Sequence, residues 1–194
     1  MSLLEQKKEE KRQALLDAAY GLFLERGTGK TSISDIAERA KVAKGTFYLY
    51  FQDKDAVLQA LLGKISSRVL KEAYESVEVQ GNANFADNVI ALVDYIIEYF
   101  KRERLILRLL QRNLSWPSLE NELSTGTSPL FSHLMQAVKT SPEMAGRSED
   151  EIMKRIFIII EMCGSICYSS IIEGKPDDID AMKPVLYDII RHAL

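Results

Sequence analysis

Residues Thr31 to Leu58, TSISDIAERAKVAKGTFYLYFQDKDAVL, decide how this chain is read. Ile33, Ile36, Ala37 and Ala40 recur at helical spacing, so a first short helix buries one face and leaves Ser34, Asp35, Glu38 and Arg39 in water. Val42 falls in a turn. A second short helix carries Lys44, Gly45, Thr46 and Tyr48 beside Phe47 and Phe51, which lie one helical turn apart and suit a core. Asp53 opens a third helix as its N-cap, with Lys54 beside it. Two short helices about a tight turn make a helix-turn-helix, and an outer face of small, basic and hydroxylated residues suits the major groove of DNA. Lys44, Gly45 and Thr46 lie where base edges or the nearest phosphates are reached, with Gly45 permitting close approach. Thr31, Ser32, Tyr48 and Lys54 suit phosphates, because hydroxyls and helix starts position without reading sequence. Ser34 and Lys41 complete the expected DNA-binding set.

These residues carry a family resemblance. The order Thr31, Ile36-Ala37, the turn Ala40 to Ala43, Gly45-Thr46-Phe47-Tyr48, Phe51 and Lys54 resembles the DNA-binding domain of the tetracycline-repressor (TetR) family of bacterial transcription regulators. The chain departs from that pattern in three places. Lys41 stands where the family usually has Gly, Ala43 where it usually has a Ser cap, and Thr28 where an aromatic often follows Gly27. A residue with a Cβ held at positive φ at Lys41 costs on the order of 1 kcal/mol. A lost Ser cap costs roughly 0.5–2 kcal/mol.

Before the motif, Leu15, Ala18, Ala19, Leu22 and Phe23 form a helical stripe, so residues from about Glu9 to Arg26 make an amphipathic helix that Gly27 ends. With the two helices after it, this makes a three-helix unit. Lys7, Lys8, Lys11 and Arg12 are interleaved with Glu5, Glu9 and Glu10, which reads as a solvated face. After the motif, a helix runs from Asp53 to about Tyr74, past Gly63, and links the two halves. A polar break at Gln80-Gly81-Asn82 separates it from the stripe of Phe85, Val89, Leu92, Val93, Ile96 and Phe100. A shorter helix covers Glu103 to Asn113, where the row Arg104, Arg108 and Arg112 reads as solvated surface. Pro117, Gly126 and Pro129 punctuate Ser115 to Pro129 as a loop or broken helix. Leu130, Leu134, Ala137 and Val138 suggest a further helix. No strand-like alternation occurs. The expected fold is all-α: a three-helix DNA-binding domain over residues 1–52 and a helical ligand-binding and dimerisation domain over 53–194.

The last two helices, Glu149 to Ile172 and Asp180 to Ala193, carry more apolar surface than one subunit needs. A second copy under two-fold symmetry is the simplest cover. The expected homodimer interface comprises Ile160, Cys167, Ile171, Met182, Val185, Leu186, Ile189 and Ile190. The TetR resemblance implies the same arrangement, a four-helix bundle between subunits. It also implies a small-molecule effector, with Tyr95, Tyr99, Trp116, Phe131, Met135, Met162 and Tyr168 as pocket residues, since aromatic walls with polar tips commonly line such sites. In the family, the effector alters the spacing of the two recognition helices and releases DNA.

Charge and composition agree. The net charge is -3 over 194 residues. Arg26 to Lys54 holds six Lys or Arg against three acidic residues, so this segment is at +3 and the rest at -6. A locally basic motif on an acidic body suits site-specific DNA binding, although the charges alone equally fit a solvated helix face. The longest apolar run, Ile156 to Ile160, continues through Glu161, Gly164 and Ser165, so it reads as a buried helix and not a membrane span. Cys163 and Cys167 lie four apart on that helix and read as small core residues, with redox sensing as the alternative. His133 and His192 stand alone, and no triad, carboxylate dyad, phosphate loop or metal-ligand spacing is found. No catalytic residue, metal or cofactor is expected. The chain reads as a cytoplasmic, ligand-responsive repressor that binds a near-palindromic DNA operator as a homodimer. The alternatives are a helix-turn-helix adaptor working through protein contacts and a small helical enzyme.

Overall fold

The computed structural model describes residues 2–80, 84–113, 136 and 138–194, and every regular element among them is helical. The loop expected over Ser115 to Pro129 and the start of the helix expected from Leu130 lie outside the described residues. Two compact units divide the chain, Met1–Ser66 and Ser67–Leu194.

In the first unit, α1 (Leu3–Arg26) begins earlier than its apolar stripe suggests. A capping box starts it there: Glu5 N–H donates to Ser2 Oγ at 3.3 Å and Ser2 N–H donates to Glu5 Oε2 at 2.6 Å. Its inner face buries Leu15, Leu16, Ala19, Leu22 and Phe23. Gly27 ends the helix at φ 81, a value that favours glycine, with its N–H donating to Phe23 O. α2 (Ile33–Arg39) adds Ile36 and Ala37 to the core, and α3 (Lys44–Phe47) adds Phe47. Phe51 closes the unit from below α3, with the Arg12 guanidinium 5.4 Å from its ring centroid. α4 (Lys54–Gln80) starts on an Asp53 cap, since Ala56 N–H donates to Asp53 Oδ1 at 2.7 Å. It runs on through the division between the units.

The second unit packs α5 (Phe85–Arg102), α6 (Arg104–Asn113), α7 (Glu149–Tyr168) and α8 (Ile179–Ala193) about Ile97, Leu107, Ile159, Leu186 and Ile190. A 3-10 turn, Pro142–Met144, precedes α7. The end of α7 widens into a π-turn, Ser169–Glu173, and the Arg104 guanidinium donates to Ile171 O there. The helical run Glu149–Glu173 is long and apolar enough to cross a membrane by length and composition. Its apolar side chains Ile152, Ile159, Cys167 and Ile171 belong to the core of this unit.

A charged clasp joins α5 to α8. Lys183 Nζ lies 2.7 Å from Asp94 Oδ1 and 2.5 Å from Glu98 Oε1, and Lys101 Nζ lies 2.9 Å from Glu98 Oε1 and 2.7 Å from Asp180 Oδ1. Tyr187 donates its phenolic hydrogen to Asp94. Partial burial pushes the Asp94 carboxyl up, but the Lys183 and Tyr187 bonds outweigh it and hold it below the usual range. Lys183 and Lys101 likewise hold Glu98 low.

Candidate nucleic-acid interface

The helix-turn-helix is assembled by local caps and a few long-range bonds. Ser32 caps α2: its Oγ accepts from Asp35 N–H at 3.2 Å and donates to Asp35 Oδ2 at 2.7 Å. These bonds keep the Asp35 carboxyl below its ordinary range. Arg26 pairs with Asp35 at 2.8 Å and Arg39 with Glu25 at 2.7 Å, fastening α1 to α2. Arg39 lies across Gly21, where a Cβ would stand 2.8 Å from its Nη2. The turn passes through Lys41 at φ 57, so this position holds the left-handed conformation that the resemblance to a glycine-bearing family suggests. α3 then starts at Ala43 with no side-chain cap bond.

The expected DNA-contacting residues fall into three groups. Ser34, Lys41, Lys44, Gly45 and Tyr48 are exposed, and Thr46 is half-buried beside them. Helical backbone bonds continue past α3, with Leu49 N–H donating to Thr46 O and Phe51 N–H to Phe47 O. Lys44 and Gly45 therefore share the outer face with Tyr48 and Leu49 one turn on, while Phe47 and Phe51 point inward. Tyr48 stands edge-on to the Phe47 ring at 5.5 Å, which orients its ring while leaving it 52% exposed. Ser32 forms the second group; it is exposed, but its hydroxyl is engaged in the cap.

Thr31 and Lys54 form the third group, and here the structure corrects the sequence reading. Thr31 is only 2% exposed, and its hydroxyl donates to Gly27 O at 2.9 Å and to Leu22 O at 3.4 Å. It closes the end of α1 and presents no hydroxyl to a phosphate. Lys54 Nζ donates to Thr28 O at 2.7 Å and Thr31 O at 3.0 Å, so two of its three donors staple the loop before α2. Arg26 and Arg39 are likewise spent inside the unit. Lys30, Lys41 and Lys44 are exposed and, among the described residues, have no ion pair. Leu49, outside the expected set, is exposed next to Tyr48, and its place one turn after Gly45 is the signal that the sequence offers.

The residues expected in the second unit are also redistributed. Tyr95 donates to Glu72 at 3.3 Å, and Tyr99 accepts from Arg68 at 3.1 Å, so α4 engages both hydroxyls. Met162 and Tyr168 instead pack against the core of α5, α7 and α8. Trp116, Phe131 and Met135 lie outside the described residues. A cleft of about 250 Å³ beside the 3-10 turn is lined by Lys139, Met144, Arg147, Glu149 and Ile152, and among the described residues Tyr95, Tyr99, Met162 and Tyr168 do not line it. In the expected interface set, Cys167, Ile171, Leu186 and Ile190 are covered by their own chain. Ile160 and Met182 are half-buried, whereas Val185 is 58% and Ile189 44% exposed. Phe157 and Ile158 of α7 are exposed as well. Burial pushes the Cys163 and Cys167 thiols up to about 12, which suits inert core thiols better than redox sensors.

Comparison with known proteins agrees with this geometry. Residues 15–61 match the family described as bacterial regulatory proteins, tetR family. An uncharacterized HTH-type transcriptional regulator of Bacillus subtilis, YvdT, is 29% identical over 128 residues, covering 66% of this chain and 65% of YvdT. The HTH-type transcriptional repressor Rv3405c of Mycobacterium tuberculosis is 41% identical over 64 residues, covering 33% of this chain and 34% of that protein. The chain thus spans less than two thirds of the length of these curated relatives. Among solved structures, Thermus thermophilus FadR, a TetR family transcriptional repressor in complex with lauroyl-CoA, superposes with a TM-score of 0.67 at 18% identity, covering 94% of each chain. The helix-turn-helix of this chain, within residues 15–61, is that of the TetR family of bacterial transcription regulators.

Proposed function

We propose that the protein acts in the cytoplasm as a homodimer that binds a near-palindromic operator and releases it when a small molecule occupies the second unit. The observation that carries this reading is the outer face where Lys44, Gly45 and Tyr48 stand exposed together, with Lys41 in the preceding turn. Lys44 and Gly45 reach base edges or the closest phosphates, and Lys41, Ser34 and Tyr48 hold the phosphate backbone. Thr46 flanks this face. Phe157 and Ile158 of α7, with Val185 and Ile189 of α8, form the surface that a second copy covers. Two subunits then present two recognition helices to two half-sites. For the effector, long-chain acyl-CoA is the first compound to test, because a repressor of the same fold holds lauroyl-CoA. Tyr95 and Tyr99 of α5, which meet α4, are the side chains proposed to meet it.

The test is a salt titration of binding to a duplex enriched from random DNA by the full chain. A DNA reader weakens steeply and log-linearly as salt rises, and it retains a preference for the enriched duplex over mixed DNA. Binding that ignores salt would overturn the reading and favour an adaptor that works through protein contacts.

A further inference from the structure

We propose that Leu49 is a specificity-determining residue that reads the C5-methyl group of a thymine in each operator half-site. The inference rests on the DNA-binding reading above. Leu49 is 76% exposed. A lone exposed leucine is ordinary, but its placement here is not. The bonds from Leu49 N–H to Thr46 O (3.2 Å), Tyr50 N–H to Phe47 O (3.0 Å) and Phe51 N–H to Phe47 O (3.0 Å) extend the helical turn beyond α3. Leu49 therefore stands on the outer face, one turn after Gly45 and next to Tyr48.

Gly45 and Leu49 are four residues apart in this helical segment, so both face the same side of it. A Cβ at Gly45 would meet nothing within 4 Å, and its φ is not in the left-handed region. Nothing inside the protein thus calls for glycine at that position, and the open space at Gly45, like the exposed face of Leu49, is left to whatever docks there. The chemistry around this apolar knob points to the docking group. Lys41 and Lys44 are exposed and unpaired among the described residues, in a segment carrying +3, so a polyanion is the complementary partner. Phosphates and most base edges are polar, and pressing a leucine on them removes water without replacing its hydrogen bonds. Among the base-edge groups of the major groove, the thymine methyl is the apolar one.

Deoxyuridine provides the test, since it removes this methyl and leaves base pairing intact. A duplex is enriched from random DNA with the full-length chain, and each thymine is then replaced in turn by deoxyuridine. At one thymine per half-site the replacement is expected to weaken the unmodified protein about fourfold, the worth of one buried methyl group. Leu49→Ala is expected to bind the thymine duplex more weakly, to melt at the same temperature as the parent, and to be indifferent to deoxyuridine at that position. Equal deoxyuridine effects on parent and variant, or an enriched site with no thymine whose methyl matters, would overturn the assignment while leaving DNA binding intact. Failure to enrich any duplex would instead overturn the DNA-binding reading itself.

Discussion

Lys41 and Gly45 are each a poor choice for folding, and in opposite ways. Lys41 holds a Cβ at φ 57, while Gly45 places the most flexible residue in a helix where a Cβ would touch nothing. Lys41→Gly should relieve the strain and raise stability by about 0.5–1 kcal/mol in thermal melting. The same change removes a cation and should lower the salt slope of DNA binding by about 1. Gly45→Ala should also stabilise the fold, by roughly 0.4–1 kcal/mol. It should weaken operator binding, because the methyl fills open space on the face proposed to meet DNA; unchanged affinity in a binding assay would show that DNA does not approach this turn. Lys41 was legible in the sequence as a departure from the family's turn, and Gly45 as a residue that permits close approach. Thr31 and Lys54 were not. Their polar atoms are taken by carbonyls of Leu22, Gly27 and Thr28, and no local pattern reports such partners.

At the scale of helices, α8 shows how one apolar stripe divides. Leu186 and Ile190 face the core, and Val185 and Ile189, each one residue earlier, face outward. Val185→Glu or Ile189→Glu should leave the subunit folded, since both side chains are already exposed in it, yet separate the dimer by placing a carboxylate in an apolar interface. Sedimentation would then report folded monomers, and an intact dimer in both variants would move the interface elsewhere. The α5–α8 clasp gives a pH dependence. Asp94 and Glu98 are held below their unfolded values of roughly 4, so their contribution is fully present above that range. It is lost as pH falls through their depressed folded values. Their carboxylates are over a third exposed, which keeps the effect modest. Lys183→Met should flatten this acid limb in denaturant unfolding, and an unchanged limb would mean that the clasp adds nothing to stability.

For the whole molecule, regulation is a statement about linkage. If an effector weakens operator binding by some factor, the operator must weaken effector binding by that same factor. Acyl-CoA titrated into the free protein and into the operator complex should therefore give two affinities whose ratio equals the effector's effect on DNA. A compound whose affinity ignores DNA is not the regulatory ligand. α4 runs from the first unit into the second as one helix, so it is the covalent path proposed to carry such coupling.

Sequence alone determined the all-helical class and the helix-turn-helix at Thr31 to Leu58, and the family resemblance marked Lys41 as the turn position that the structure shows at positive φ. Those features rest on spacing and on backbone preferences that act within a few residues. Only the tertiary structure decided which polar groups remain for DNA and which apolar groups remain for a partner. Lys54 is 26 residues from Thr28 and Arg39 is 14 from Glu25. Such bonds exist once the chain has brought distant segments together, and each one removes a donor from the surface that local pattern would otherwise assign to it.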